Sequence, residues 1–501
     1  MNKLRVMKKW LQSEYHMPDE VHTIISEEVD NSMVEEISLI IHRLSEMPWT
    51  TQKDLLEELN ISKDELIELN KVIYNNDFFQ QLIVKEGLGR KYWNTMIPYI
   101  KNGVNEKVVN YEYQYPFRLA LFPGLSCMYY CGFCGRNQKA KYKGSVTKEG
   151  NQRFKDIISS MPKYSTLSIS GGLEPLTNSG LGDIISHAKS EGHRVPLITN
   201  GHMLTPKYLE KNPGLWDLDS LRISLYGTNE ESTYFVTRNK KAYHMVKSNV
   251  VEFLKLRNEI NPKLKFGFNY IILPENIDTI LQLLDYINDI NSKVDNGRGV
   301  DFLTLREDFG SVTEINDDVD KSVEGRKYHL DGFMTDEQRE HLIDVFHEFN
   351  KRKDKMCPDM HVDFGYAMVA LGDGVLGKPL ARVSGEQMRK SGYPQMSVAI
   401  DSLGDIFLYR EAGFLDRPGN QKFVAGRIGE KSLEDTLKDF ISNEVQVDRK
   451  ESDSRFMDSY DHLMTLLVNQ TESDMNLGIN SPVRIEKEKQ ENQISNNWYK
   501  D

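Results

Sequence analysis

Residues 121–137 read LFPGLSCMYYCGFCGRN and hold three of the four cysteines of a 501-residue chain, Cys127, Cys131 and Cys134, spaced C-x3-C-x2-C. A structural zinc site needs four closed ligands, and here the fourth cysteine, Cys357 in DKMCPDM, lies far along the chain, with no histidine beside the other three. Thiolates prefer soft metals and iron-sulfur clusters. Three of them on a four-iron cluster leave one iron open, and an open iron can bind a substrate.

The cysteine loop closes the first of a series of short apolar runs: RLALFPG, TLSISGG, RVPLITNG, SLRISLYG, LKFGFNYIIL and VDFLTLRED. Amphipathic stretches separate them, as at 239–260, where Tyr243, Val246, Val250 and Leu254 recur at helical spacing. Repeated strand and helix is the pattern of a parallel sheet. The expected fold is therefore α/β, a partial (β/α)6-type barrel over 111–310. Its chemistry should sit at the C-terminal strand ends, where the cysteines follow the first run and GGLEP the second.

Residues 1–110 are expected to form a helical N-terminal domain, with Ile37, Ile40, Ile41 and Leu44 on one stripe and a capping box from Ser62 to Glu65. Residues 311–470 are expected to form an α+β extension packed on the barrel, including a hairpin in QMSVAIDSLGDIFLYREAGF that turns at LGD. The polar stretch 471–501 reads as a loosely ordered tail.

Charge and composition exclude some functions. Lysine and arginine total 63 against 75 acidic residues, a net charge of -12, which disfavours nucleic acid and anionic membrane surfaces as partners. The paired helical patterns at 53–71 have a helix-turn-helix look but carry three lysines against six carboxylates, a poor surface for phosphates. A zinc-stabilised DNA-binding or scaffold protein is the alternative of another class. No apolar run approaches the roughly 20 residues of a membrane helix, and four cysteines make no disulfide framework, so the expected location is cytoplasmic.

C-x3-C-x2-C in the loop after a first barrel strand resembles the radical S-adenosylmethionine (SAM) superfamily. That resemblance implies a [4Fe-4S] cluster on Cys127, Cys131 and Cys134, SAM on its open iron, and an electron donor such as flavodoxin or ferredoxin. The electron cleaves SAM to a 5'-deoxyadenosyl radical that abstracts hydrogen from carbon. The resemblance also implies cofactor-binding roles for Phe133, Gly171, Gly172, Glu174, Ser224 and Arg238, from the motifs CGFC, SISGGLEP and RISLYGTNEESTYFVTRNKKAY.

Within the superfamily an ordered series, YWNTMIPYI, SGGLEPLTNSGLG, NPGLW, LREDFG, HVDFGYA and DIFLYREAGF, is similar to the ammonia-lyases that deaminate TDP-4-amino-4,6-dideoxy-D-glucose in deoxysugar biosynthesis. A dehydrogenase or dehydratase on a related nucleotide sugar is the alternative within the class. Deamination calls for a carboxylate near the C4 ammonium and a base near the C3 hydroxyl, for which Glu307, Asp308 and Glu411 are the candidates. Arg306, His361, Asp363 and Arg410 are the candidate substrate-binding residues, arginine being suited to a diphosphate through two-pronged hydrogen bonding.

Overall fold

The computed structural model describes residues 3–131, 134, 140–294, 297–307, 334–377 and 383–487. All six expected runs are strands: β1 (Arg118–Phe122), β2 (Thr166–Ile169), β3 (Pro196–Thr199), β4 (Ser220–Leu225), β5 (Lys265–Ile272) and β6 (Phe302–Glu307). Four more follow, β7 (His361–Phe364), β8 (Ser397–Asp401), β9 (Asp405–Phe407) and β10 (Val424–Arg427). They make one sheet in the order β10-β9-β8-β1-β2-β3-β4-β5-β6-β7. Every pairing from β8 through β7 is parallel, and β9 and β10 add antiparallel.

Strand alternation divides the sheet into two faces. On β4, Leu221, Ile223 and Leu225 join an apolar core with residues of Leu181–Ser190 and Ala242–Ile260. Ser220, Arg222 and Ser224 of the same strand line a cavity of about 1180 Å³. On β6, Leu303 and Leu305 face the helices, while Phe302, Thr304 and Arg306 face the cavity.

The sheet does not close on itself, and the space beyond β7 is filled from both ends of the chain. Helix Arg90–Lys101 supplies Lys91, Asn94, Thr95 and Tyr99 to the cavity wall, and helix Ser459–Leu477 supplies Ser459 and Tyr460. Tyr99 and Tyr460 share a hydrogen bond between their hydroxyls at 2.7 Å, Thr95 Oγ1 meets the Tyr366 hydroxyl at 2.9 Å, and Lys91 Nζ pairs with Asp363 at 2.8 Å.

Two expectations are corrected. The C-terminal extension does not pack on a finished barrel: β8 pairs in parallel with β1, and β8 and β9 form the expected hairpin as added strands of the same sheet. Residues 1–110 are helical as expected, and Ile37, Ile40, Ile41 and Leu44 share one apolar cluster with Met388, Tyr393, Tyr460 and Leu463. The tail boundary at 471 also moves. The last helix runs to Leu477, Ile479 and Val483 are buried, and the Pro482 carbonyl accepts from Gln80 Nε2 at 2.8 Å. Apolar residues spaced along a polar stretch suffice to dock it once their backbone groups find partners. Residues 488–501 lie outside the described residues. Among the described residues no helix is long and apolar enough to cross a membrane.

The seam between the chain ends has a titratable latch. Asp474 accepts from the Gln52 backbone N–H at 2.8 Å, and burial pushes its carboxyl up to about 7. Between its ordinary range and that value the folded state holds a proton that the unfolded state has released, so stability falls as pH rises through this window. Asp474→Asn keeps the acceptor and removes the buried charge. It is expected to stabilise the protein by about 1–2 kcal/mol at pH 8 and to have no such effect at pH 4, as thermal melts at the two pH values would show.

Candidate active site

Three loops at the C-terminal strand ends hold the cysteine segment. The Leu125 and Ser126 amides donate to Thr177 Oγ1 at 2.9 and 3.2 Å, the Glu174 amide donates to the Ser126 carbonyl at 2.9 Å, and the Tyr130 amide donates to the Thr237 carbonyl at 2.9 Å. Asn200 Nδ2 lies 3.7 Å from Cys127 Sγ. None of the four cysteines is in a disulfide.

Cys127, Cys131 and Cys134 all line the cavity and pack around Tyr129 and Tyr226. Burial, followed by the charges of the three thiols, pushes the Tyr226 phenol well above its ordinary range. Among the described residues no three ligating side chains close on one point. A four-iron cluster does not require that, since each of its cysteines binds a different iron. Three soft donors facing one cavity fit such a group.

Gly171 and Gly172 line the cavity beside this loop. Gly171 has φ +82°, and a Cβ there would run into the Phe122 ring, so glycine is required on both counts. Ser224 lines the cavity and hydrogen-bonds to Tyr226. Glu174 lies on the cavity wall, but its carboxylate is engaged: the Leu176 amide donates to it at 3.0 Å, the Asn200 amide at 2.8 Å, and the Thr199 hydroxyl also donates. It ties the GGLEP loop to the end of β3. Arg238 is not on the cavity wall; it caps helix Glu230–Thr237 with φ 55° and stacks over Phe235 at 5.3 Å. A chain reversal after that helix turns it away from the cavity. Phe133 lies outside the described residues, as does Asp308.

The substrate candidates do come together. Arg306, Glu307, His361, Asp363, Arg410 and Glu411 line the same cavity as the thiols. Arg410 donates to Ser170 Oγ at 2.5 Å and faces Asp458 at 3.7 Å, while its own amide is held by Asp461 at 2.9 Å. Glu307 is 3% exposed, its carboxyl raised by burial, and its Oε2 has no hydrogen-bond partner among the described residues. Burial pushes Glu411 up to about 7 against the pull of Arg417, which is 3.4 Å away and also feels the charge of Cys134.

Sequence reasoning missed several wall residues. Arg118 and Arg222 extend Arg306 and Arg410 into a group of four guanidiniums, and Lys91 and Asp458 face it. In a chain of net charge -12, the described wall carries eight lysines and arginines against five carboxylates. A usable signal was present: in SLRISL the polar residues alternate with the apolar ones, and on a strand covered by helices the polar set has to face an interior space.

The residues 121–287 match the family model of the radical SAM superfamily. The chain is 35% identical over 436 residues, 86% of each chain, to dTDP-4-amino-4,6-dideoxy-D-glucose ammonia-lyase of Streptomyces venezuelae. It is 34% identical over 107 residues, 21% of its length and 30% of the other's, to AdoMet-dependent heme synthase of Methanosarcina barkeri. Among solved structures, Streptococcus suis SuiB aligns over 85% of this chain and 83% of its own at 13% identity, with a TM-score of 0.42. The chain belongs to the radical SAM superfamily and is a radical SAM enzyme. Within it, the chain belongs to the family represented by the Streptomyces ammonia-lyase. That membership implies a four-iron cluster and SAM.

Proposed function

We propose that this enzyme is an ammonia-lyase acting on TDP-4-amino-4,6-dideoxy-D-glucose, yielding TDP-3-keto-4,6-dideoxy-D-glucose and ammonia. The observation that carries the reading is one cavity that joins the thiol loop to an arginine-rich wall. The likeness over 86% of both chains to the Streptomyces enzyme supports the choice of sugar.

When bound, the cluster and SAM supply the carbon radical that removes hydrogen from C3 of the sugar. The protein's share is placement and proton control. Arg306 and Arg410, with Arg118 and Arg222 behind them, hold the diphosphate. Glu307, with its unsatisfied buried oxygen, accepts from the C4 ammonium and keeps the leaving group protonated. Glu411 takes the C3 hydroxyl proton, which becomes far more acidic once C3 has lost its hydrogen. Ammonia then leaves, and the 3-keto sugar radical that remains takes one electron from the external donor and one proton at C4 to give the product. A carboxyl poised near 7 is matched to such a transfer at neutral pH.

An electron-supplied anaerobic incubation with SAM and the aminosugar, followed by mass spectrometry, tests the reading. Ammonia and deaminated keto sugar in equal amounts are expected. Cleavage of SAM with an oxidised sugar that keeps its nitrogen would instead make the enzyme a dehydrogenase.

The Glu411 role predicts a pH profile. Because the carboxylate is the acting form, kcat/KM should rise with pH through a midpoint near 7. Glu411→Gln should lower kcat about 100-fold or more and abolish the rising limb. A variant that kept the limb would assign it to another group.

A further inference from the structure

Three of the five exposed large aromatics among the described residues, Tyr130, Tyr234 and Phe235, lie in two segments joined by the Tyr130 amide to Thr237 carbonyl bond. Tyr130 sits in the cysteine loop between Cys127 and Cys131. Tyr234 and Phe235 sit in helix Glu230–Thr237, and the turn that follows it carries Arg238, Lys240 and Lys241. The turn packs on the cysteine loop: Asn239 Nδ2 donates to the Met128 carbonyl at 3.4 Å, and Ala242 is buried against Cys131 and Tyr129.

Charge gives this face its character. Lys240 and Lys241 are exposed. Glu230 and Glu231 lie at the far, N-terminal end of the helix, where Glu230 pairs with His244 at 2.8 Å. An aromatic patch rimmed by cations is unusual on a chain of net charge -12, which would repel another acidic protein elsewhere. Aromatic residues are enriched at protein interfaces.

We propose that Tyr130, Tyr234, Phe235 and the turn 238–241 form the docking face for a small acidic protein that delivers one electron to the cluster. One electron leaves the carrier, which is oxidised by one unit, and enters the cluster, which is reduced by one; no bond or proton moves. The position follows from the distance dependence of electron transfer, because this face is built on the loop that holds the thiols. The inference rests on the radical SAM class of the enzyme and not on the identity of the sugar.

The test uses reconstituted full-length enzyme and an acidic flavodoxin in its hydroquinone state. Binding is measured by calorimetry with oxidised flavodoxin at low and high salt, and 5'-deoxyadenosine formation from SAM is followed with flavodoxin or dithionite as reductant. The double substitution K240E/K241E should weaken flavodoxin binding about tenfold or more at low salt, reduce the salt dependence, and slow the flavodoxin-driven reaction. Dithionite-driven cleavage should be unchanged. Phe235→Ser should weaken binding while leaving the salt dependence in place. Unaltered flavodoxin binding in both variants overturns the proposal. So does an equal loss with both reductants, because dithionite needs no docking face and a shared loss would assign the turn to support of the cysteine loop.

Discussion

Cys131→Ala is expected to yield a folded protein with no stable four-iron cluster and no detectable 5'-deoxyadenosine formation. The side chain is 6% exposed and belongs to a small apolar group with Tyr129 and Ala242, so losing one sulfur costs about 1–2 kcal/mol of packing. The loop remains pinned by Thr177, Glu174 and Thr237. The cluster, by contrast, loses one of its three holders. Cys357→Ala provides the comparison: that thiol is buried among Phe346, Phe349 and Met360 on the helical side of the sheet, and its loss should lower stability while leaving iron content unchanged. Iron and sulfide analysis after anaerobic reconstitution, with circular dichroism to confirm folding, decides the matter. A full iron complement in the Cys131 variant would remove this loop as the cluster site.

The second large effect is expected at the arginine wall. Arg306 projects from β6 into the cavity, and its one side-chain hydrogen bond among the described residues, to the Glu307 carbonyl, is long at 3.5 Å. A guanidinium so placed is available to a phosphate, and a charged hydrogen-bonded contact of that kind is worth about 2–3 kcal/mol. Arg306→Ala should therefore weaken TDP binding and raise KM for the aminosugar about 30- to 150-fold. Arg306→Lys should recover part of that, since lysine keeps the charge but not the fork. Cleavage of SAM without sugar should be unaffected, which separates loss of the diphosphate contact from damage to the cluster. Unchanged affinity for TDP would place the diphosphate elsewhere.

What could be read in advance follows physical range. The six strands, the interposed helices and the C-terminal location of the chemistry arise from local periodicity, and the cysteines and glycines owe their meaning to close spacing. The contributions of Arg118, Lys91 and Asp458 depend on pairing between distant segments, which no short window of sequence contains. The parallel union of β8 with β1 is of the same kind, because β8 comes late in the chain and yet borders the first strand. Glu174 shows a different limit: a motif can place a carboxylate on the wall while backbone amides of neighbouring loops decide what it has left to offer.

The wall shared by the two chain ends also sets an order of construction. A polypeptide emerging from the ribosome presents its N-terminal portion first, so the thiol loop and β1–β7 exist before Arg410, Glu411, Asp458 and Tyr460 have been made. Until then the space beside the cysteines lacks one side. That side is completed only when the final helix docks.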